Sequence, residues 1–210
     1  HAWLIHHGAD CHSLLLTAHH LVVDGWSTPL LLADLLHAYG EGISRLPATR
    51  VDYPSVVRAL AARNLAPARA AWGAALAGVK PTLLFSAAPE PELGPVRELE
   101  LLLPVALEHA LQQRCRQQGL TFNSLMQGAW GSLLAVLSGR DDVVFGAPVS
   151  GRFSPVSGIE EHVGLFSNTI PVRVRLTPTE PLLEQFARLQ QQQIELLEHD
   201  GLGLAEIQRL

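Results

Sequence analysis

The sequence contains little cysteine and no long apolar run. Cys11 and Cys115 are the only cysteines among 210 residues, and two thiols so far apart exclude a disulfide framework or a zinc knuckle. We expect both to be reduced thiols in a cytoplasmic protein. No apolar run is long enough to span a bilayer, and the first residues lack the pattern of a signal peptide.

A block of basic residues is also missing. The 15 Lys and Arg residues are outnumbered by 20 Asp and Glu residues, which gives a formal net charge of −5. This balance disfavours nucleic acid and anionic membranes as partners. With 48% hydrophobic and 17% charged residues, the chain has enough apolar material for a sizeable core, and a disordered chain is excluded.

The first third of the sequence predicts a hairpin followed by helices. Residues 1–8 and 11–23 favour two strands, since Gly-Ala-Asp between them suits a hairpin turn. A helix is expected next, capped by Ser27 or Thr28, and its leucines on nearly every side predict that it is buried. Two further helical pieces break near Pro67.

The remainder predicts a mixed α/β class. We expect part of an N-terminal lobe in residues 1–80, a proline-rich linker in 81–95 and part of a C-terminal lobe in 96–210. Within the second lobe the patterns predict, in order, a strand, two helices, two strands and a helix: 97–103, 104–119, 121–139, 141–152, 167–176 and 181–201.

Two adjacent histidines, His19 and His20, interrupt an apolar stretch, and Asp24 follows the second of them by four residues. On a strand covering residues 13–20 their side chains would point to opposite faces, so we expect them to have different roles. A metal site is disfavoured, because no helical His-x-x-x-His pair or Cys/His spacing occurs and Asp24 has no acidic neighbour to share a metal.

The segment His19–Gly25 has the form His-His-x-x-x-Asp-Gly, which resembles the signature of the condensation domains of nonribosomal peptide synthetases. Residues 143–152, 162–174 and 198–210 also resemble family segments, in the family's order. The resemblance covers nearly the whole chain and implies the two-lobed chloramphenicol acetyltransferase-like fold. Family members are much longer, so we expect a fragment in which both lobes are incomplete.

The resemblance implies amide-bond formation between a carrier-bound donor thioester and a carrier-bound aminoacyl acceptor. His20 would orient the amine or take its proton, since an imidazole titrates close to neutral pH, and the backbone N–H of Gly25 would stabilise the oxyanion. The implied partners are upstream and downstream peptidyl carrier domains and an adjacent adenylation domain. The implied cofactor is 4′-phosphopantetheine, carried by the partners and not bound directly.

The same resemblance assigns supporting residues. Asp24 is implied to form a bridge with Arg152 that ties the two lobes, and not to complete a catalytic triad. His19 either supports the site or is a hydrogen-bonded core residue. Asn168 and Ser27 are candidates for the substrate channel. Ser27 is interpreted as a helix cap and not as a nucleophile, because no Gly-x-Ser-x-Gly motif surrounds it.

Two other functions stay open at this point. An epimerisation domain shares the histidine motif, but it would need a second acid or base in a stretch that reads here as Glu160–Thr169. A non-catalytic remnant could dock carrier domains without turnover. The cyclising branch of the family is excluded, because it replaces the two histidines with aspartates.

Overall fold

The computed structural model describes residues 1–46, 53–84, 98–152 and 156–210. The described strands are β1 Ala2–Gly8, β2 Cys11–Leu16, β3 Asp142–Val149 and β4 Asn168–Arg175. The described α-helices are α1 Ser27–Glu41, α2 Tyr53–Ala61, α3 Ala66–Ala75, α4 Val105–Gln118, α5 Phe122–Ser138, α6 Leu182–Leu196 and α7 Leu204–Ile207. Among these residues no helix has the length and apolar character needed to cross a membrane.

The chain folds into two compact units. The first unit contains residues His1–Leu65 and Pro148–Asn168, and the second contains Ala66–Ala147 and Thr169–Leu210. The two lobes predicted for residues 1–80 and 96–210 are parts of the complete two-lobed fold that the resemblance implies. That division stays a prediction. Most of the predicted linker, residues 85–95, lies outside the described residues.

The predicted hairpin is confirmed, but its second strand is shorter than expected. β1 and β2 pair antiparallel, with Trp3 opposite Leu15. Next to the paired strands, the Thr17 N–H donates to the His1 carbonyl and the His1 amino group donates to the Thr17 carbonyl. β2 ends at Leu16. His19 and His20 therefore follow the strand, and the expectation of alternating strand faces is wrong.

α1 is also more exposed than its leucines predict. Ser27 is its only buried residue, whereas Leu36 is 68% exposed. The helix packs against the short 3₁₀ helix Ile43–Arg45, so a helix that is apolar on most sides is left largely uncovered within the described residues. The predicted side-chain cap by Ser27 or Thr28 is wrong, since the Ser27 N–H is instead accepted by the Asp24 carboxylate.

The core of the second unit forms where α5 and α6 pack on the β3–β4 sheet. β3 and β4 are hydrogen-bonded neighbours. Gly128 and Gly131 lie on the buried side of α5, where a Cβ would collide with Phe186 of α6 and Val174 of β4, so the two glycines permit the close packing. The buried residues of this core are Leu134, Ala135, Val143, Ala147, Val172, Val174 and Leu189.

The second unit also contains an ion pair between the buried Arg173 and the partly exposed Asp142. Arg173 donates from Nη2 to Asp142 Oδ2 at 2.7 Å and from Nε to Asp142 Oδ1 at 2.9 Å. Its Nη1 donates to the carbonyls of Ala75 and Ala77, each at 2.9 Å. The pair therefore ties the end of α3 to β3 and β4.

Helices α4, α5 and α6 agree with the sequence, but the predicted strand at 97–103 does not. Residues 98–103 are irregular, with Leu99 95% exposed. Alternating apolar residues favour a strand only where a partner strand is present to accept their backbone hydrogen bonds. No such partner lies among the described residues.

Candidate functional site

The candidate site is built around the buried carboxylate of Asp24, in the first unit. Oδ1 accepts from the Ser27 N–H at 3.0 Å, the Ser27 hydroxyl at 2.8 Å and Arg152 Nη2 at 3.1 Å. Oδ2 accepts from Arg152 Nη1 at 2.8 Å and from the N–H groups of Phe166 and Ser167 at 3.0 and 3.1 Å. Each oxygen thus faces three donors, and Asp24 is joined to Arg152 by both ends of its carboxylate.

Arg152 is equally enclosed. Nη1 also donates to the Ser150 carbonyl at 3.3 Å, and Nη2 donates to the His162 carbonyl at 3.2 Å. The guanidinium carbon lies 4.7 Å from the centre of the Phe166 ring and 5.6 Å from that of Trp26. The rings cover the cation, and its two terminal nitrogens are hydrogen-bonded, so the charge is desolvated and paired through those atoms. The buried Nε has no hydrogen-bond partner among the described residues.

Ser27 connects this pair to the segment that follows Arg152. The Ser27 side chain is fully buried, and its Oγ accepts from the Gly164 N–H at 3.0 Å and from Arg152 Nη2 at 3.1 Å. Its single proton can go to Asp24 Oδ1 at 2.8 Å or to the Gly164 carbonyl at 2.9 Å. Four polar groups therefore surround one hydroxyl.

The electrostatics of Asp24 follow from these contacts. Burial raises the pKa of the carboxyl, but hydrogen bonds from the Arg152 side chain, the Phe166 N–H and Ser27 lower it more. The net result is a pKa well below the usual range of an aspartate, so the carboxylate is ionised at any ordinary working pH.

His19 and His20 lie in the turn between β2 and α1, and both are exposed. His19 Nδ1 accepts from the Leu21 N–H at 3.1 Å, and the His19 carbonyl accepts from the Val22 N–H at 3.0 Å. These two bonds fold the chain back immediately after the histidine pair. His20 is therefore presented at the surface of the first unit, four residues before the buried anion.

Gly25 and Asn168 flank the network. Gly25 directly follows Asp24 and is exposed, with open space where a Cβ would stand. Asn168 begins β4 as a half-buried residue, one position after Ser167, whose N–H contacts Asp24. The structure thus joins Asp24 and Arg152 by hydrogen bonds, while Gly25 and Asn168 adjoin the network along the chain.

Sequence reasoning missed the contribution of Gly164, Phe166 and Ser167. A Cβ on Gly164 would collide with the Tyr53 ring, and the Phe166 ring packs edge-on against Tyr53, with ring centres 5.5 Å apart. The backbone of this segment can then reach Asp24 and Ser27. The glycine between apolar residues was the one available signal, but it does not reveal which side chain approaches.

Comparison with known proteins gives first the class and then the family. The first condensation domain of the CDA synthetase has a TM-score of 0.73 to this structure at 24% identity, covering 91% of this chain and 44% of that one. The X-domain from teicoplanin biosynthesis has a TM-score of 0.81 at 22% identity, covering 100% of this chain and 50% of that one. These likenesses establish the chloramphenicol acetyltransferase-like fold.

The sequence comparison identifies the family. The sequence model of the condensation domain matches residues 1–210. Vanchrobactin synthetase VabF of Vibrio anguillarum is 52% identical over 209 residues, which cover 100% of this chain and 7% of that synthetase. The chain belongs to the condensation-domain family. It spans about half the length of the solved structures above and a small part of the synthetase.

Proposed function

We propose that these 210 residues carry the catalytic histidine of a nonribosomal peptide synthetase condensation domain. The complete domain would join a donor thioester on an upstream carrier to an aminoacyl acceptor on a downstream carrier. The observation that supports this most is the position of the exposed His20 in a chain of this family. His20 lies four residues before Asp24, which forms a buried pair with Arg152.

The reaction needs no covalent intermediate with the protein. The neutral α-amine of the acceptor attacks the thioester carbonyl, a C–N bond forms and the C–S bond breaks. The amine loses a proton, the donor's pantetheine sulfur leaves as a thiolate, and that sulfur gains the proton. Positioning, a route for this proton and stabilisation of the oxyanion are the contributions that lower the barrier.

The exposed residues fit these contributions. His20 orients the amine or carries its proton to the leaving sulfur, and the Gly25 N–H donates to the oxyanion. A glycine fits there because a main-chain donor is useful only where a substrate can approach it, and the space beside Gly25 is open in the described part of the chain. Asn168 is assigned to the substrate channel.

The buried residues support them. Asp24 and Arg152 hold the ends of the turn and of the 162–167 segment, so their role is structural. His19 bonds to the turn itself through Nδ1, which suits a residue that shapes the loop and leaves the chemistry to its neighbour. Both 4′-phosphopantetheine arms belong to the carrier-bound substrates, and an adenylation domain of the same cytoplasmic assembly would load the acceptor.

Intact-mass spectrometry of the downstream carrier tests the function. The complete polypeptide that carries these residues is incubated with a loaded upstream carrier and an aminoacylated downstream carrier. Wild type and His109→Ala, which removes an exposed histidine of α4, should both add the donor mass to the downstream carrier. His20→Ala should not.

The other outcomes separate the competing functions. Carrier binding without any mass gain in wild type would support the docking remnant. Exchange of the α-proton for deuterium on one carrier, again without transfer, would support an epimerase. Equal transfer by wild type and His20→Ala would remove His20 from the chemistry.

A further inference from the structure

We infer that Ser27 is a positioning residue for this reaction, and that its hydroxyl fixes the turn that presents the Gly25 N–H. The inference rests on the proposed function. It replaces the substrate-channel placement predicted for Ser27, because a fully buried hydroxyl with four polar neighbours has no capacity left for a substrate.

The turn Asp24–Ser27 is closed by three hydrogen bonds between its ends. The Ser27 N–H lies 3.1 Å from the Asp24 carbonyl and 3.0 Å from Oδ1, and the Ser27 hydroxyl lies 2.8 Å from the same Oδ1. Between the ends, the Trp26 indole N–H donates to the Glu160 carbonyl at 2.9 Å. Gly25 is therefore held between three anchored residues although it is exposed itself.

The Ser27 hydroxyl links this turn to Gly164 of the 162–167 segment, in addition to the bonds that Asp24 accepts from Phe166 and Ser167. Gly164 contributes both its N–H and its carbonyl to Ser27 Oγ. Asp24 and Arg152 are joined directly by two hydrogen bonds that do not pass through Ser27. Removing the hydroxyl therefore leaves the ion pair in place but frees the turn from Gly164.

A shift of the turn is costly to the reaction because geometry contributes much of the rate. A misplacement of about 1 Å can cost about 10²-fold in rate even when the substituted residue does not touch the substrate. The expected signature is a fall in kcat with little change in KM, since the fully buried Ser27 offers no surface to either carrier-bound substrate. A purely structural role would lower stability and leave the rate of the folded enzyme unchanged.

The test compares Ser27→Ala with Thr28→Ala in the complete polypeptide. Thr28 carries the neighbouring hydroxyl, which makes a single 3.4 Å contact with the Asp24 carbonyl. We expect Ser27→Ala to lower kcat by up to about 10²-fold and to speed amide hydrogen exchange at Gly164. Thr28→Ala should match wild type in both measurements.

Ser27→Thr keeps the hydroxyl and is measured in parallel, and it should recover most of the rate lost in Ser27→Ala. A folded Ser27→Ala enzyme with the wild-type rate overturns the inference. So does a folded Ser27→Thr enzyme that protects Gly164 as wild type does but transfers as slowly as Ser27→Ala. If Ser27→Ala does not fold, Ser27→Thr is compared with wild type: a folded Ser27→Thr enzyme that protects Gly164 as wild type does but transfers about 10²-fold more slowly overturns the inference.

The exchange measurement also separates this inference from the proposed function. A wild-type polypeptide that transfers nothing refutes the proposed function. In that case unchanged exchange at Gly164 in Ser27→Ala refutes the positioning role of the hydroxyl as well. Faster exchange at Gly164 in Ser27→Ala would still show that the Ser27 hydroxyl holds the turn to Gly164.

Discussion

Replacing Asp24 by asparagine removes one charge from the candidate site while nearly preserving its shape. The asparagine NH₂ must occupy the place of either Oδ1 or Oδ2. Three donors converge on each place: the Ser27 N–H, the Ser27 hydroxyl and Arg152 Nη2 on one, and Arg152 Nη1 with the N–H groups of Phe166 and Ser167 on the other. In either orientation the asparagine NH₂ therefore faces hydrogen-bond donors, and it cannot accept their hydrogen bonds.

The loss should be large because the partner cation stays buried. The side chains of Arg152 and Asp24 are 3% and 1% exposed, and removing one partner of such a pair costs about 3–5 kcal/mol. A protein domain has only about 5–15 kcal/mol of stability in total. We therefore expect Asp24→Asn to lose solubility or cooperative unfolding, and not merely to slow the reaction.

The assay is urea-dependent pulse proteolysis of the complete polypeptide, read for each variant from peptides of the unit that contains the substitution. Glu206→Gln is the matched control, since it makes the same acid-to-amide change in an exposed ion pair with Arg69. The side chain of Arg69 is 50% exposed and that of Glu206 is 36% exposed. Exposed pairs contribute about 0–1 kcal/mol. A well-folded Asp24→Asn protein that loses no more stability than the control would refute the reasoning.

Two further predictions concern pH and backbone geometry. The lowered pKa of Asp24 means that the unfolded chain binds its proton more readily than the native one, so stability should be full above about pH 5, fall as the pH drops through the unfolded value near 4 and keep falling below it. Urea midpoints of wild type from pH 7 to 3, read from peptides of the first unit, should show this loss, and a midpoint that stays constant over that range would contradict the assignment to Asp24. Gly151→Ala places a methyl group against the Phe166 carbonyl at φ +65°, whereas Gly139→Ala meets open space at φ +66°. The second change should cost about 1–2 kcal/mol of left-handed strain and the first clearly more, and equal unfolding midpoints would show that the site backbone moves aside freely.

Local signals predicted the helices of the second unit well. α4 begins after Pro104 and ends at Gly119, which has a φ of +65°. α5 begins after Thr121, whose Oγ1 accepts from the Ser124 N–H at 3.0 Å, and ends at Gly139. Such boundaries are set by residues next to each other in the sequence, so the sequence alone contains the information.

Packing and long-range pairing could not be predicted in the same way. The leucines of α1 predict burial, but burial depends on what packs against the helix, and Tyr39 is 91% exposed. Asp24 and Arg152 are 128 residues apart, and no spacing rule links them; the resemblance to a family was the only source for that pair. Nothing in the sequence predicted the Ser27–Gly164 contact, since a serine before a helical pattern is first interpreted as a helix cap.

The most direct test of the account is the ratio of donor-transfer rates between wild type and His20→Ala, measured in the complete polypeptide under single-turnover conditions. Because His20 is exposed and outside the buried network, the variant should fold as wild type does. The account predicts a rate about 10²–10⁴-fold lower, the range of a lost acid–base group. A folded His20→Ala enzyme that transfers the donor at the wild-type rate would contradict it.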